Sequence, residues 1–213
     1  MGLIAKQGGG DFQIAPVGQF LAICYQVVDM GHQFSPTYNK WHDKVRFAFE
    51  LHGENMTGSG SGLMDDGRPF TVSTEFTNSL SENSNLRPFL EGWRGRPFTE
   101  QELDGFDVSN VLGAACMLTI QHTQQNGKTY ANLTTATPML KVLTKPAQVN
   151  PPLLFSMDPW DRAKFDSLPQ WVRARIEKSK EYIERFGGTI STPQAAQTAP
   201  PAAAAPFNDD IPF

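Results

Sequence analysis

Basic and aromatic side chains sit close together at four places in this chain. Lys40, Trp41, Lys44 and Arg46 form the first group and Arg68 with Phe70 the second. Arg94 and Arg96 flank Gly95 just after Trp93, and Lys128 stands two residues before Tyr130. Lysine and arginine can track phosphates. Aromatic rings can stack on bases, at about 1–3 kcal/mol per stacked base. Together they supply the chemistry for holding a single nucleic-acid strand whatever its sequence. Each group has a plainer reading beside this one. A single Lys or Arg is usually an ordinary surface residue, and Arg94 and Arg96 could merely cap a helical insert. Phe47, Phe49, Phe70 and Phe76 fall at core positions of their strands, whereas Trp41 and Tyr130 have polar neighbours.

Other chemistries find little support. Cys24 and Cys116 each lie in an apolar run and read as buried free thiols. His32, His42, His52 and His122 show no metal-ligand spacing with them, so neither a zinc site nor a Cys/His nucleophile is expected. Asp65-Asp66 and the acids near residues 100–107 could be imagined as a two-metal nuclease centre. They fall in a glycine-rich loop and on helix ends without a partnering lysine, which is the pattern of solvated loops. The glycines at 53, 58, 60, 62 and 67 lack the Gly-Lys-Ser/Thr ending of a phosphate-binding loop. No enzymatic activity, cofactor or metal is expected.

The elements that would carry the four groups are mainly strands. A β-rich run covers residues 19–30 and stops at Gly31. In residues 44–51, Val45, Phe47, Phe49 and Leu51 point one way, while Lys44, Arg46, Ala48 and Glu50 point to a wet face. Residues 53–67 read as a long flexible loop, followed by a third strand over 68–80. A helix follows, with Ser81 as its expected cap and Leu86, Phe89, Leu90 and Trp93 on one apolar face. Thr99-Glu100-Gln101-Glu102 is a capping-box pattern that opens a second short helix, and residues 108–112 add a further turn. Two last strands, 115–123 and 128–137, are joined through Asn126-Gly127, the strongest short hairpin signal. Three strands, a helical insert and a hairpin predict a mainly β fold: a five-stranded OB-type barrel with the insert between strands 3 and 4.

The organisation beyond the barrel is also legible. The barrel domain is assigned to residues 1–145, with a glycine-rich start over 1–11. An extended, proline-bearing segment and a helix over 169–186, both in 146–186, are expected to pack on it; a partner-binding amphipathic helix is the rival reading. Residues 187–206 open on Gly187-Gly188 and continue mainly in Thr, Pro, Gln and Ala with no charge, a disordered linker. The chain ends Phe207-Asn208-Asp209-Asp210-Ile211-Pro212-Phe213. Such an acidic tip suits an apolar pocket rimmed by Arg or Lys. Phe213 would fill the pocket while its α-carboxylate pairs with a base and Pro212 restricts the chain.

Asp209, Asp210, Ile211, Pro212 and Phe213 resemble the C-terminal tip of bacterial single-stranded DNA-binding proteins, with Asn208 where a third acid is common. The body resembles phage and prophage single-stranded DNA-binding proteins in Asp65–Phe70, Gly105-Phe106-Asp107, Leu112-Gly113 and Gly127–Asn132. The resemblance implies single-strand protection together with recruitment of replication, recombination or repair proteins by the tip. It also leaves room for the tip to occupy the protein's own DNA groove.

Charge does not add to this case. The chain carries −4, of which Asp209 and Asp210 supply two, so any DNA site must be a local basic groove on a mildly acidic body. An OB-fold adaptor that binds protein rather than DNA stays open for that reason. No apolar run approaches the roughly 18–20 residues that span a bilayer. The first residues lack a secretory layout, and Lys6 stands where a myristoylation signal has Ser or Thr. A soluble, cytoplasmic location is expected, in the host cell if the chain is phage-encoded.

Overall fold

The computed structural model describes residues 13–187. The sequence expectations for residues 1–11, for the linker past Gly187 and for the acidic tip lie outside that range. Among the described residues there are six strands, five α-helices and one 3-10 turn. In chain order they are β1 (Gly18–Ser35), β2 (Lys40–His52), β3 (Thr71–Thr77), α1 (Leu86–Arg94), α2 (Glu100–Asp104), the 3-10 turn Val108–Val111, β4 (Ala115–Gln125), β5 (Lys128–Pro138), β6 (Leu153–Phe155), α3 (Arg162–Ser167), α4 (Gln170–Ile176) and α5 (Lys180–Phe186).

Five strands form an antiparallel sheet in the order β3-β2-β1-β4-β5, and β6 pairs with β1 in parallel. β1 does not stop at Gly31. Two bulges bend it, between Cys24 and Gln26 and between Asp29 and Gly31, and it runs on to Ser35. Bending lets one strand change neighbours. Residues Gly18–Ile23 pair with β4, Gln26–Val28 with β6, and nearly the whole length with β2. Gly31 serves this bend twice. Its φ is +64°, and a Cβ there would stand 2.9 Å from the Ser179 Cβ.

The sheet is not closed into a barrel. The free edges of β3 and β5 face a groove in which Gln13, Ile14 and Ala15 are laid. Ala15 is buried, and His122 Nε2 donates to its carbonyl at 2.8 Å. That segment lines the same groove as the two edges.

The main core lies between the sheet and α1. Phe20, Phe47, Phe49 and Leu118 from the sheet meet Leu86, Phe89, Leu90 and Trp93, the four residues that the helical spacing places on one face. The Thr99 capping box forms as the sequence indicates: Thr99 Oγ1 accepts from the Glu102 N–H, and Glu102 reaches back to the Thr99 N–H. Asn126 and Gly127, with φ of 52° and 73°, make the β4–β5 turn. Cys24 and Cys116 are free and buried, and burial pushes the Cys24 thiol up to about 12.

Three further expectations need correction. The loop after β2 is pinned rather than flexible. The Gly62 N–H donates to Gly53 O and the Asn55 N–H to Gly60 O, while the Asn55 amide ties the loop to Val17 and Gln19 at the start of β1. The expected single helix over 169–186 is broken into α4 and α5, because Ser179 leaves the helix to cap α5, accepting from the Tyr182 N–H. The supposed wet face of β2 is covered: Arg46 is 6% exposed, Ala48 1% and Glu50 0%. A second core made by Val28, Met30, Phe155, Phe165, Val172 and Ile176 brings the C-terminal segment across that side of the sheet.

Glu50 shows how this covering is fastened. Its carboxylate accepts from the Val149 N–H at 2.8 Å, the Asn150 N–H at 2.7 Å and the Asn150 amide at 2.7 Å, with His52 Nε2 at 2.9 Å. Burial alone would raise the Glu50 carboxyl, but these hydrogen bonds outweigh it and hold the group below its ordinary 4.5. A depressed carboxyl stabilises the fold above its unfolded-state value and loses that contribution as pH falls through the folded-state value. Glu50→Gln keeps the shape but turns an NH2 against donors. It is expected to cost on the order of 2 kcal/mol at neutral pH. The wild-type advantage should shrink below about pH 4.5, as measured by urea unfolding of both proteins across pH.

Candidate nucleic-acid interface

A groove of about 1100 Å³ runs along the open seam between β3 and β5. That exceeds what a single small ligand fills and suits an extended chain. One wall is the approach to β3, from Arg68 through Phe70 to Ser73. The other is the start of β5, from Lys128 through Tyr130 to Asn132. The groove thus unites four residues that the sequence offers as two separate pairs: Arg68, Phe70, Lys128 and Tyr130.

Local structure explains how each is presented. The Phe70 N–H donates to Gly62 O and its carbonyl accepts from the Leu51 N–H, so the residue is locked just before β3. Its ring is partly buried against the main core. Tyr130 is 45% exposed on β5, where the strand alternates exposed and half-buried residues. Lys128 follows the Asn126-Gly127 turn and makes no ion pair among the described residues. Arg68 is exposed and bridged to Asp66 at 2.7 Å. The hydrogen bond from Arg68 holds the Asp66 carboxyl below its ordinary value, and the same contact raises the guanidinium. Asp65 also lines the groove and is held by Gln13. Two cations and two carboxylates therefore leave the lining near neutrality, with aromatic rings and short polar side chains at its surface.

The other predicted contacts lie elsewhere. Lys40 and Trp41 open β2 at the far end of the β1–β2 hairpin, where Trp41 meets Phe34 edge-on at 5.4 Å. Lys44 Nζ donates to Thr77 Oγ1 at 2.9 Å, bracing β2 against β3. Arg46 corrects the expectation outright: it is buried, hydrogen-bonded to Gln26 Oε1, with Trp171 over its guanidinium at 4.8 Å. Arg94 and Arg96 converge on one carboxylate. Both bond Glu102, and Arg94 lies 4.4 Å over Phe98 and 5.3 Å from Phe106. The hydrogen bond from Arg96, with the Thr99 N–H and Arg94, pulls the Glu102 carboxyl far below its usual range. This is a corner clamp for the α1–α2 insert rather than a free basic patch. The tip residues Asp209 to Phe213 lie outside the described residues.

Sequence reasoning missed the exposed rings of Tyr38, at 67%, and Trp171, at 56%. Tyr38 sits in the β1–β2 turn among polar residues, a signal present in the sequence. Trp171 has the spacing of a buried helical stripe. Among the described residues no group of three or more His, Cys, Asp or Glu could hold a metal ion, and no helix is long and apolar enough to cross a membrane.

No family model matches the chain, and no curated protein matches it.

The two kinds of arginine separate in one experiment. Arg94→Met removes one of the two arginines that clamp Glu102 and the cation over Phe98. It is expected to lower stability by about 1–3 kcal/mol in thermal or urea unfolding. Affinity for a labelled single-stranded oligonucleotide, titrated where the protein is folded, should stay unchanged.

Proposed function

We propose that this protein binds single-stranded DNA without sequence preference along the β3–β5 groove, and recruits replication, recombination or repair proteins through its C-terminal tip. The observation that carries this reading is the gathering of Phe70, Tyr130, Lys128 and Arg68 in one groove. Stacking rings and phosphate-seeking cations lie side by side there, next to the hairpin turn. The strand order supports an OB-type assignment. β1 is long, bent and shared by β2 and β4, and the helical insert falls between β3 and β4. In that fold the binding face is built on the second and third strands and on the loops between strands 1 and 2 and between 4 and 5. The groove adjoins β3 and the last of these loops.

The protein would act by occupancy and recruitment, without catalysis or a cofactor, in the cytoplasm. The resemblance to phage and prophage single-strand binders, and of Asp209–Phe213 to the bacterial tip, points the same way. Asp65 and Asp66 favour a second reading, a protein-binding adaptor, because they cancel the groove's cations.

Titration of the full chain with an oligo-dT of about thirty nucleotides distinguishes the two. Labelled-oligonucleotide anisotropy and tryptophan fluorescence are the readouts. Binding that weakens with salt, with little affinity for duplex, is expected. Tyr130→Ala should weaken it roughly 5- to 150-fold, the loss of one stacked base. Lys128→Ala should reduce the slope of log K against log salt by about 0.7, the loss of one phosphate contact. Absence of binding by both readouts at low salt would leave the adaptor.

A further inference from the structure

Trp171 occupies an unusual place. It is the second residue of α4, yet it is 56% exposed, while Val172 and Ile176 of the same helix are buried. One face of its ring is taken by the Arg46 guanidinium, 4.8 Å from the centroid. Arg46 is held from below by Gln26 Oε1. The indole is thus fixed in position on one side and open to solvent on the other. One helical turn on, Arg175 reaches down to Glu75 on β3, with bonds of 2.9 and 2.6 Å. Arg46 and Glu75 are direct partners in the β2–β3 register. A ring, two guanidiniums and one carboxylate therefore meet over one rung of the sheet.

That rung adjoins the groove. The next pairs on the same face of the ladder are Ala48 with Ser73 and Glu50 with Thr71, and both Ser73 and Thr71 line the groove. From Ser73 to Glu75 the strand advances about 7 Å. A single strand leaving the groove along the outer side of β3 would pass the rung over which the indole stands.

Resting on the single-strand reading, we propose that Trp171 is a second base-stacking site, placed beside the groove by the C-terminal helices and kept ready by Arg46. A base of the strand stacks on the open face of the ring, and a neighbouring phosphate competes with Glu75 for Arg175. Because Arg46 already orders the ring, binding costs little further side-chain entropy.

The test uses the full-length protein and oligo-dT of about thirty nucleotides, with anisotropy reporting affinity and tryptophan emission reporting ring contact. Trp171→Leu keeps an apolar cover on Arg46 but cannot stack in the same way. It is expected to weaken binding roughly 5- to 150-fold. Trp171→Phe keeps a stacking ring and should bind within a few-fold of wild type while losing much of the emission change. Glu75→Gln leaves the indole in place, releases Arg175, and should tighten binding a few-fold. Wild-type affinity in Trp171→Leu, or an undiminished emission change in Trp171→Phe, overturns the stacking site and leaves the groove reading intact. Failure of the wild-type protein to bind the oligonucleotide overturns both.

Discussion

A carboxylate with no exposed surface must be compensated by donors, and the way Glu50 is compensated decides where the last third of the chain goes. Its partners are the backbone N–H groups of Val149 and Asn150 and the Asn150 amide, about a hundred residues downstream, together with His52. An ionised group buried in this way is very costly unless every lone pair finds a donor. The segment at 149–150 is therefore held on the β2 face, and the chain beyond it is committed to the same side. β6 pairs with β1 three residues later, the second core assembles on Val28 and Met30, and α4 comes to rest with Trp171 over Arg46. Arg46 and Glu50 share one side of β2; the covering segment supplies the donors to Glu50 and the Trp171 ring over Arg46, whose hydrogen bond comes from Gln26 on β1.

The same sheet thus serves two cores through β1, whose bulges let Phe20, Cys24 and Val27 face the α1 side while Val28 and Met30 face the C-terminal helices. What the sheet does not do is close. Open strand edges usually invite unwanted pairing. Here Gln13–Ala15 runs along the seam between the two edges, leaving a groove with one wall from each. Covering one face and leaving one seam open are complementary. The first excludes most of β2 from any ligand, and the second concentrates the remaining aromatic and basic side chains in one place.

Much of this arrangement is legible in the sequence, and the failures have a common cause. Local signals are reliable here. The Thr99 capping box, the Asn126-Gly127 turn and the Leu86–Trp93 stripe are each decided within a few residues. The union of Arg68 and Phe70 with Lys128 and Tyr130 comes from strand order, although the seam itself carries no local signal. The errors arise where a distant segment covers a local pattern. Alternation along β2 is sound, but its polar side is buried by residues a hundred positions away, so Arg46 and Glu50 read as solvated. Trp171 fails in the opposite sense. Its spacing is that of a buried helical stripe, yet α4 buries Val172 and Ile176 and leaves the indole half in water. Arg94 and Arg96 look like a patch until Glu102, placed by the capping box, gathers both.

A body that is mildly acidic can hold a polyanion only if charge is a minor part of the interaction. In the groove, Asp66 already engages Arg68, and Asp65, held by Gln13, adds a second negative charge to the lining. At the neighbouring rung, Glu75 engages Arg175. Each phosphate contact except that of Lys128 must then displace a carboxylate, and the net electrostatic gain per contact is small. Stacking has no such competitor. Rings accept any base, lose nothing to the protein's own acids, and are worth about 1–3 kcal/mol per base. Binding built this way is weakly salt-dependent for its strength, because few counterions are released. It also favours single strands over duplex, since only unpaired bases offer their faces to Tyr130, Phe70 and Trp171. The near-neutral lining that counts against a general nucleic-acid binder is, on this argument, what would confine the protein to single strands.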